Sequence, residues 1–347
     1  MRNRSIFSLR KHSAVVGRAA AGIYAILKVN FSHGEVVVPA NICPMAVYPI
    51  VYAGLQPRFC DVDVLSGNVT LNIIKDKVSD STKAVVVPHM YGNPVKDIVQ
   101  MKEFCKLKGV LLIEDCASAM GASFDGLPLG TWGDYAIFST GHAKTLDLGG
   151  GGVVVSDRDL SDIEHVLNDI TSDPLASDEQ EKVFSTTYRR FLNTRASLAE
   201  FPERSFFKGD FRAMILKPID EALSHTIVKR ISEELESTVT WRRNRQKLFE
   251  DIFDRTVDGV FRYHYADGAV PWRFSFFVGQ SSRQHLACAM LSESLPVSDW
   301  YPVATELFGD SSHYPQASQH GKAILNLPLS LAVTDFEKAC QLISRHS

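Results

Sequence analysis

"DYAIFSTGHAKTLDLGGGGVVVSD", residues 134–157, reads as an apolar strand, a short polar loop holding one lysine, four consecutive glycines and a second apolar strand. A lone amine, Lys144, therefore stands between two strands apolar enough to be buried. The run "LGGGG" lets backbone approach a bulky planar ligand without Cβ clashes. Outward from this stretch, residues 35–157 alternate β-branched runs with segments of helical period. "EVVVPA" (35–40), "AVVVPHMYG" (84–92), "GVLLIED" (109–115), "YAIFST" (135–140) and "GGVVVSD" (151–157) read as strands. "PMAVYPIVYAG" (44–54) and "DIVQMKEFCKLKG" (97–109) read as helices, the second closed by Gly109. Such alternation implies an α/β fold with a mostly parallel sheet covered on both faces. Ligands of these sheets sit outside the carboxyl ends of the strands, where His89, Asp115, Ser139 and the Lys144 loop fall.

Beyond about residue 160 the character changes. Residues 160–205 are polar with weak helical patterns, and 213–256 read as one or two long helices carrying "WRRNRQK" (241–247), expected to be a solvated face. A strand, "WRFSFFVG" (272–279), a helix at 283–294, the aromatic "PVSDWYPVATELFG" (296–309) and an amphipathic helix near 335–345 complete a smaller α+β unit. Two domains are expected: residues 1–215, including an N-terminal helix over 14–28, and residues 216–347. A chain of 347 residues is long enough for both.

A net charge of -3 and the lack of a long basic run give no basis for binding nucleic acid or an anionic membrane. No apolar run approaches the roughly 20 residues of a membrane span, and the basic N-terminus lacks a secretory apolar region. The six cysteines form no CxxC pair and are expected to be reduced thiols of a cytoplasmic protein. No metal site is expected.

Lys144 has three informative neighbours in the pattern. Ser139 ends the preceding strand, the glycines follow, and Asp115 ends another buried strand, where a carboxylate costs desolvation unless it meets a cation. Pyridoxal phosphate uses all three features: an amine to bind its aldehyde, a carboxylate against its pyridinium nitrogen, and donors for its phosphate. Lys144 is expected to work at a pKa lowered by burial and cationic surroundings.

On these residues the chain resembles the DegT/DnrJ/EryC1/StrS family of fold-type-I sugar aminotransferases, from about residue 15 to the C-terminus. "GEVVVPA", "YAGLQPRFCDVD", "STKAVVVPHMYGNPVKD", "LLIEDCASAMGASFDGLPLGTWGDYAIFS", the lysine loop and "AILNLPLSLAVTD" carry the likeness in order. The resemblance implies pyridoxal 5'-phosphate as cofactor, Lys144 as its Schiff-base lysine, Asp115 as the pyridinium partner and Ser139 as a phosphate donor. The backbone N–H groups of Arg18 and Ala19, opening the helix at "GRAAAGIYAIL", would meet the phosphate. It further implies transfer of an amino group, from L-glutamate, to a nucleotide-linked keto-sugar by a homodimer with shared active sites.

Several positions depart from the family. Its ring-stacking aromatic falls on Cys43, the Gln or His three residues after the pyridinium acid is Ser118, and the residue after the lysine is Thr145. The segment that reaches the neighbouring subunit's phosphate matches "KGDFRAM" (208–214), which puts Asp210 where an amide stands and leaves Arg212 as a donor. Those substitutions keep open a non-catalytic binding or regulatory homologue. The sugar dehydratases of the same fold replace the lysine by histidine, and Lys144 argues against that branch. His142, Trp300 and Tyr301 could line the substrate cavity or simply pack. His89 is read mainly as a support for loop backbone, and Asp61 and Asp63 as turn caps.

Overall fold

In the computed structural model, residues 6–170, 174–194, 209–303 and 305–346 are described. β1 (His12–Val16) leads through Gly17 and Arg18 into α1 (Ala19–Asn30). β2 (Glu35–Pro39), α2 (Pro44–Tyr52), β3 (Gln56–Cys60), α3 (Leu71–Lys77), β4 (Thr82–Pro88), α4 (Ile98–Lys108) and β5 (Leu111–Asp115) follow. A hairpin of β6 (Ser123–Phe124) and β7 (Leu127–Pro128) precedes β8 (Tyr135–Ser139) and β9 (Gly152–Ser156). The large sheet has the order β1-β9-β8-β5-β4-β2-β3. Only β9 runs against its neighbours, so the carboxyl ends of the other six strands share one edge.

The valine-rich strands are buried along nearly their whole length, as expected for a sheet covered on both faces. α1 packs so closely on β9 that a Cβ on Gly22 would stand 2.7 Å from Val154 Cγ2. All five expected strands are present, and two more extend the sheet at its edges. β1 lies where a helix was expected from residue 14: Ala14, Val15 and Val16 pair with Val154, Val153 and Gly152, and the helix starts only at Ala19. β3, "QPRFC", hides its period behind a proline that an edge strand tolerates. The expected Gly109 stop is real, at φ 66°.

α5 (Ser161–Asn168) and α6 (Pro174–Thr194) cover much of the region read as weakly helical, 160–205, and α7 (Arg212–Ile215) follows it; residues 171–173 and 195–208 lie outside the described residues. α8 (Glu221–Thr256) then runs for 36 residues, capped by Asp220, whose carboxylate accepts the Leu223 N–H at 2.7 Å. Its first half packs Ile227, Ile231 and Val239 against the large sheet. Its second half places Phe249, Ile252 and Phe253 in another core. That core is closed by β11 (Phe274–Phe277), α9 (Gln280–Ser292), β12 (Ile324–Leu327) and α11 (Val333–His346), with β10 (Phe261–Arg262) at the sheet edge and α10 (Pro315–Ala323) packing Ala317 into the core of the large sheet. Strands β10, β11 and β12 form a small antiparallel sheet.

The run "WRRNRQK" is only in part the solvated face expected of it: Trp241, Arg243, Asn244 and Lys247 are exposed, while Arg242, Arg245 and Gln246 turn inward. Arg242 donates to the carbonyls of Pro271 and Trp272 at 3.3 and 3.0 Å, and Arg243 to Ala269 and Gly268. Arg245 donates to Leu329 and Leu331 while lying over the Phe249 ring. The helix uses these guanidinium groups to hold loops that have no ladder partners of their own.

Candidate active site

β5 ends on two carboxylates that leave the strand on opposite faces. Glu114 is fully buried and accepts N–H groups from Gly130, Trp132 and Gly133 at 2.6–2.9 Å. His89 completes its shell: Val95 N–H donates to Nδ1, so Nε2 carries the proton that faces Glu114 Oε2 at 3.2 Å. Burial works to raise the Glu114 carboxyl, but His89 and the amides outweigh it and leave it below its ordinary value. His89 thus supports loop backbone, as read from sequence. Buried Cys116 lies close to His89 and Glu114, but the polar atoms of that pair are already engaged.

Asp115 has a different environment. Ala117 N–H donates to it at 2.9 Å, and among the described residues it has no ion-pair partner. Burial raises its carboxyl above the ordinary range against the pull of that amide and of Lys144. Lys144 Nζ donates to Ser118 Oγ at 3.3 Å, and the Tyr301 hydroxyl bonds the same serine. Burial pulls the Lys144 amine down, but the acidic groups of Tyr301, Cys43 and Asp115 prevail and hold it above its ordinary value. The sequence-based expectation of a lowered lysine pKa is therefore corrected: the acidic groups around it outweigh burial and the one nearby cation, Arg273. Cys43, at the start of α2, is a thiol pushed up by burial beside the same groups.

The lysine loop is held from outside. Trp272 Nε1 donates to Ala143 O at 2.7 Å, and Arg242 donates to the carbonyls of Lys144 and Thr145 at 2.9 and 3.5 Å. Within the loop, Asp147 accepts from the Ala143 and Gly149 amides. The sequence suggested glycines that open space for a ring; Gly151 and Gly152 serve close packing instead, while a Cβ on Gly149 or Gly150 would meet nothing nearer than 3.7 Å. Gly151 N–H donates to Gly17 O at 2.9 Å, with φ +83° and Ile227 Cδ1 only 2.3 Å from where a Cβ would stand. A Cβ on Gly152 would meet Phe138 O at 2.5 Å and Ala19 Cα at 3.1 Å. Their small size brings β9, α1 and α8 together.

That approach sets the start of α1 at the same edge of the sheet. No side chain caps α1, and although Arg18 bridges Gly151 and the Ala21 amide donates to Arg18 O, its start presents the positive end of a helix at which an anion can sit. Ser139 Oγ accepts the Gly141 amide at 3.2 Å and keeps its own proton to donate. The Arg18 guanidinium pairs with Glu181 of α6. An amine, a buried carboxylate without a counter-ion and an uncapped helix N-terminus are the donor set that pyridoxal phosphate requires, and the residues present fit it.

The sequence profile of the DegT/DnrJ/EryC1/StrS aminotransferase family matches residues 5–199, more than half of the chain. The chain belongs to this family. It is similar to a GDP-perosamine synthase of Vibrio cholerae, 36% identical over 152 residues, which are 43% of this chain and 41% of the relative. It is also similar to a GDP-4-keto-6-deoxy-D-mannose 3-dehydratase of Escherichia coli O55:H7, 31% identical over 148 residues, 42% and 37% of the two chains. These matches span about two fifths of the relatives' own length. The crystal structure of the aminotransferase TlmJ from Streptoalloteichus hindustanus superposes with a TM-score of 0.71 over 96% of this chain and 85% of that one, at 24% identity. That likeness establishes the fold, and the fold-type-I expectation is met.

For this member of the DegT/DnrJ/EryC1/StrS family, the structure gathers Lys144, Asp115, Ser118, Cys43 and Tyr301 into one cluster, with Ser139, Arg18 and Ala19 along the same edge. His142 is exposed, 3.6 Å from Asp147, and belongs to the loop surface. Trp300 packs on Tyr188 and Tyr301. Asp210 and Arg212 are exposed and bond each other at 3.1 Å, with Arg212 over the Tyr52 ring. Within this chain their contacts do not reach Lys144, and Lys208 of the same segment lies outside the described residues. Asp61 accepts the Gln316 and Ala317 amides at the start of α10, and Asp63 those of its own turn. Sequence reading missed Arg242, Trp272 and Arg273. Arg242 and Arg245 share a helical face with Phe249 and Ile252, a period that the surrounding charge conceals.

Proposed function

We propose that this chain is a pyridoxal-phosphate-dependent aminotransferase that moves nitrogen from an amino donor, L-glutamate, to a nucleotide-linked keto-sugar in amino-sugar biosynthesis for a surface polysaccharide or secondary metabolite. One observation carries the reading: a lysine amine bonded to Ser118, with buried Asp115, which has no ion-pair partner among the described residues, beside it at the carboxyl edge of the sheet. Pyridoxal phosphate, when bound, supplies an aldehyde for the amine and a ring that accepts electrons. Lys144 anchors the cofactor through Nζ and, once released, takes the α-proton from the donor and returns a proton to the acceptor carbon. Asp115 holds the proton on the ring nitrogen. Ser139 and the α1 amides at Arg18 and Ala19 bind the phosphate. Ser118 and Tyr301 orient Nζ between its two tasks, and Cys43 borders the ring.

The same reading keeps residues 1–215 as the cofactor-binding unit and 216–347 as the smaller one, with α8 bridging their cores. It makes the protein a cytoplasmic homodimer in which Arg212, exposed here, serves the partner's site. No described helix is long and apolar enough to cross a membrane. His142 and Trp300 border the acceptor's path. Lys144 favours transamination over the dehydration performed by some relatives.

The test is the visible spectrum of the purified protein with pyridoxal phosphate, beside Lys144→Ala. A cofactor band that bleaches with glutamate, and fails to respond in the variant, supports the reading. Absence of the band at saturating cofactor overturns it in favour of a scaffold without turnover.

A further inference from the structure

Arg273 stands immediately before β11, and its guanidinium lies 4.4 Å from the Trp272 ring centroid. The Trp272 ring stacks on Tyr301 at 5.5 Å and 28°, and Tyr301 shares Ser118 with Lys144. The guanidinium therefore stands one aromatic pair away from the group that shares Ser118 with the reacting amine, and its charge acts on Lys144. Its donors are mostly unspent. Nη1 donates to Ser298 Oγ at 2.8 Å, while Nε is buried without a partner. Among the described residues no carboxylate pairs with it, and the acidic group acting on it is the Tyr301 phenol. Other arginines nearby are used structurally: Arg242 on the carbonyls of the lysine loop and of Pro271 and Trp272, and Arg283 on Asp299. A half-buried guanidinium without a counter-ion among the described residues is costly unless a ligand anion meets it.

We infer that Arg273 receives the α-carboxylate of the amino donor, an assignment that rests on the aminotransferase reading above. Two features favour a carboxylate over the diphosphate of the acceptor. A planar guanidinium fork matches the two coplanar oxygens of a carboxylate. Position points the same way: the α-carboxylate is bonded to the carbon whose nitrogen and proton Lys144 handles, so it must lie beside Nζ. The phosphates of a nucleotide-linked sugar are separated from the keto carbon by the sugar ring. Trp272 holds the lysine loop through Ala143 and Arg273 through its ring face, so the anion site and the amine keep a fixed relation.

The test titrates the holoenzyme by calorimetry with 2-methylglutamate, which has no α-proton to lose, and separately with GDP and dTDP. Arg273→Met should weaken 2-methylglutamate by roughly 10- to 100-fold and leave nucleotide binding unchanged. Arg273→Lys keeps the charge, guards against a folding defect in the methionine variant, and should restore part of the affinity. Equal 2-methylglutamate affinity in all three proteins overturns the assignment, as does a loss confined to the nucleotides, which would give Arg273 to the acceptor's phosphates. A wild-type protein without a cofactor band removes the aminotransferase reading itself. A normal band with unchanged affinities removes only Arg273.

Discussion

Glu114 and Asp115 are neighbours in sequence with opposite tasks, and the difference lies in what each oxygen meets. Glu114 is satisfied by three amides and a histidine, so Glu114→Gln puts an amide NH₂ against N–H donors. The variant should lose about 2–4 kcal/mol at pH 7, read from denaturant unfolding. The sign with pH follows from its depressed carboxyl. The stabilisation is present above the ordinary value of 4.5 and is lost as pH falls through the lower folded value, so the deficit should narrow below pH 4.5. Asp115 is held above its ordinary range by burial, so its charge weighs against the cofactor-free fold. Asp115→Asn should leave the thermal midpoint of the cofactor-free protein unchanged or higher, while the glutamate half-reaction slows on the order of 10²-fold. An unaffected half-reaction would reduce Asp115 to packing.

At the scale of elements, the lysine loop owes its shape to segments distant in sequence. α8 contributes Arg242 and Ile227, and the approach to β11 contributes Trp272. Gly151→Ala places a side chain in the left-handed region and against Ile227. It should lower stability by about 1–3 kcal/mol, measured by the shift of the denaturant midpoint. Arg242→Met leaves the carbonyls of Lys144 and Trp272 without their donor. Stability should fall by about 2 kcal/mol, and the holoenzyme should release cofactor faster on dilution. Retention equal to wild type would show that Trp272 alone fixes the loop.

For the whole molecule, the joint between the two cores carries a pH-sensitive contact. His320 of α10 accepts from the Tyr91 hydroxyl at Nε2 and donates from Nδ1 to Val64 O, at 3.0 and 2.8 Å, as a neutral imidazole. Burial pushes it down to about 4 from an ordinary 6.5. Below about pH 6.5 the unfolded chain takes up a proton that the folded one refuses until about 4, so stability falls across that window as pH drops. Comparison of wild type with His320→Asn from pH 7 to pH 4 should show the advantage of the histidine shrinking by up to about 3 kcal/mol. A constant difference would mean that the imidazole is not neutral in the fold.

The sequence by itself determined the parallel sheet, the carboxyl edge where His89, Asp115, Ser139 and Lys144 collect, and the family, because strand and helix periods and a buried lysine loop are local signals. Edge strands β1 and β3 were illegible, since one continues an apolar helix pattern and the other carries proline and arginine. Tertiary structure alone decided the sign of the Lys144 shift, which depends on Tyr301 and Cys43 arriving from segments far apart in the chain. It alone decided that Gly151 and Gly152 serve packing between β9, α1 and α8, and that Arg242 and Arg273 turn inward. A charged residue shows its type in the sequence. Whether its donors meet water, a carbonyl or an anion is fixed only when other segments close around it.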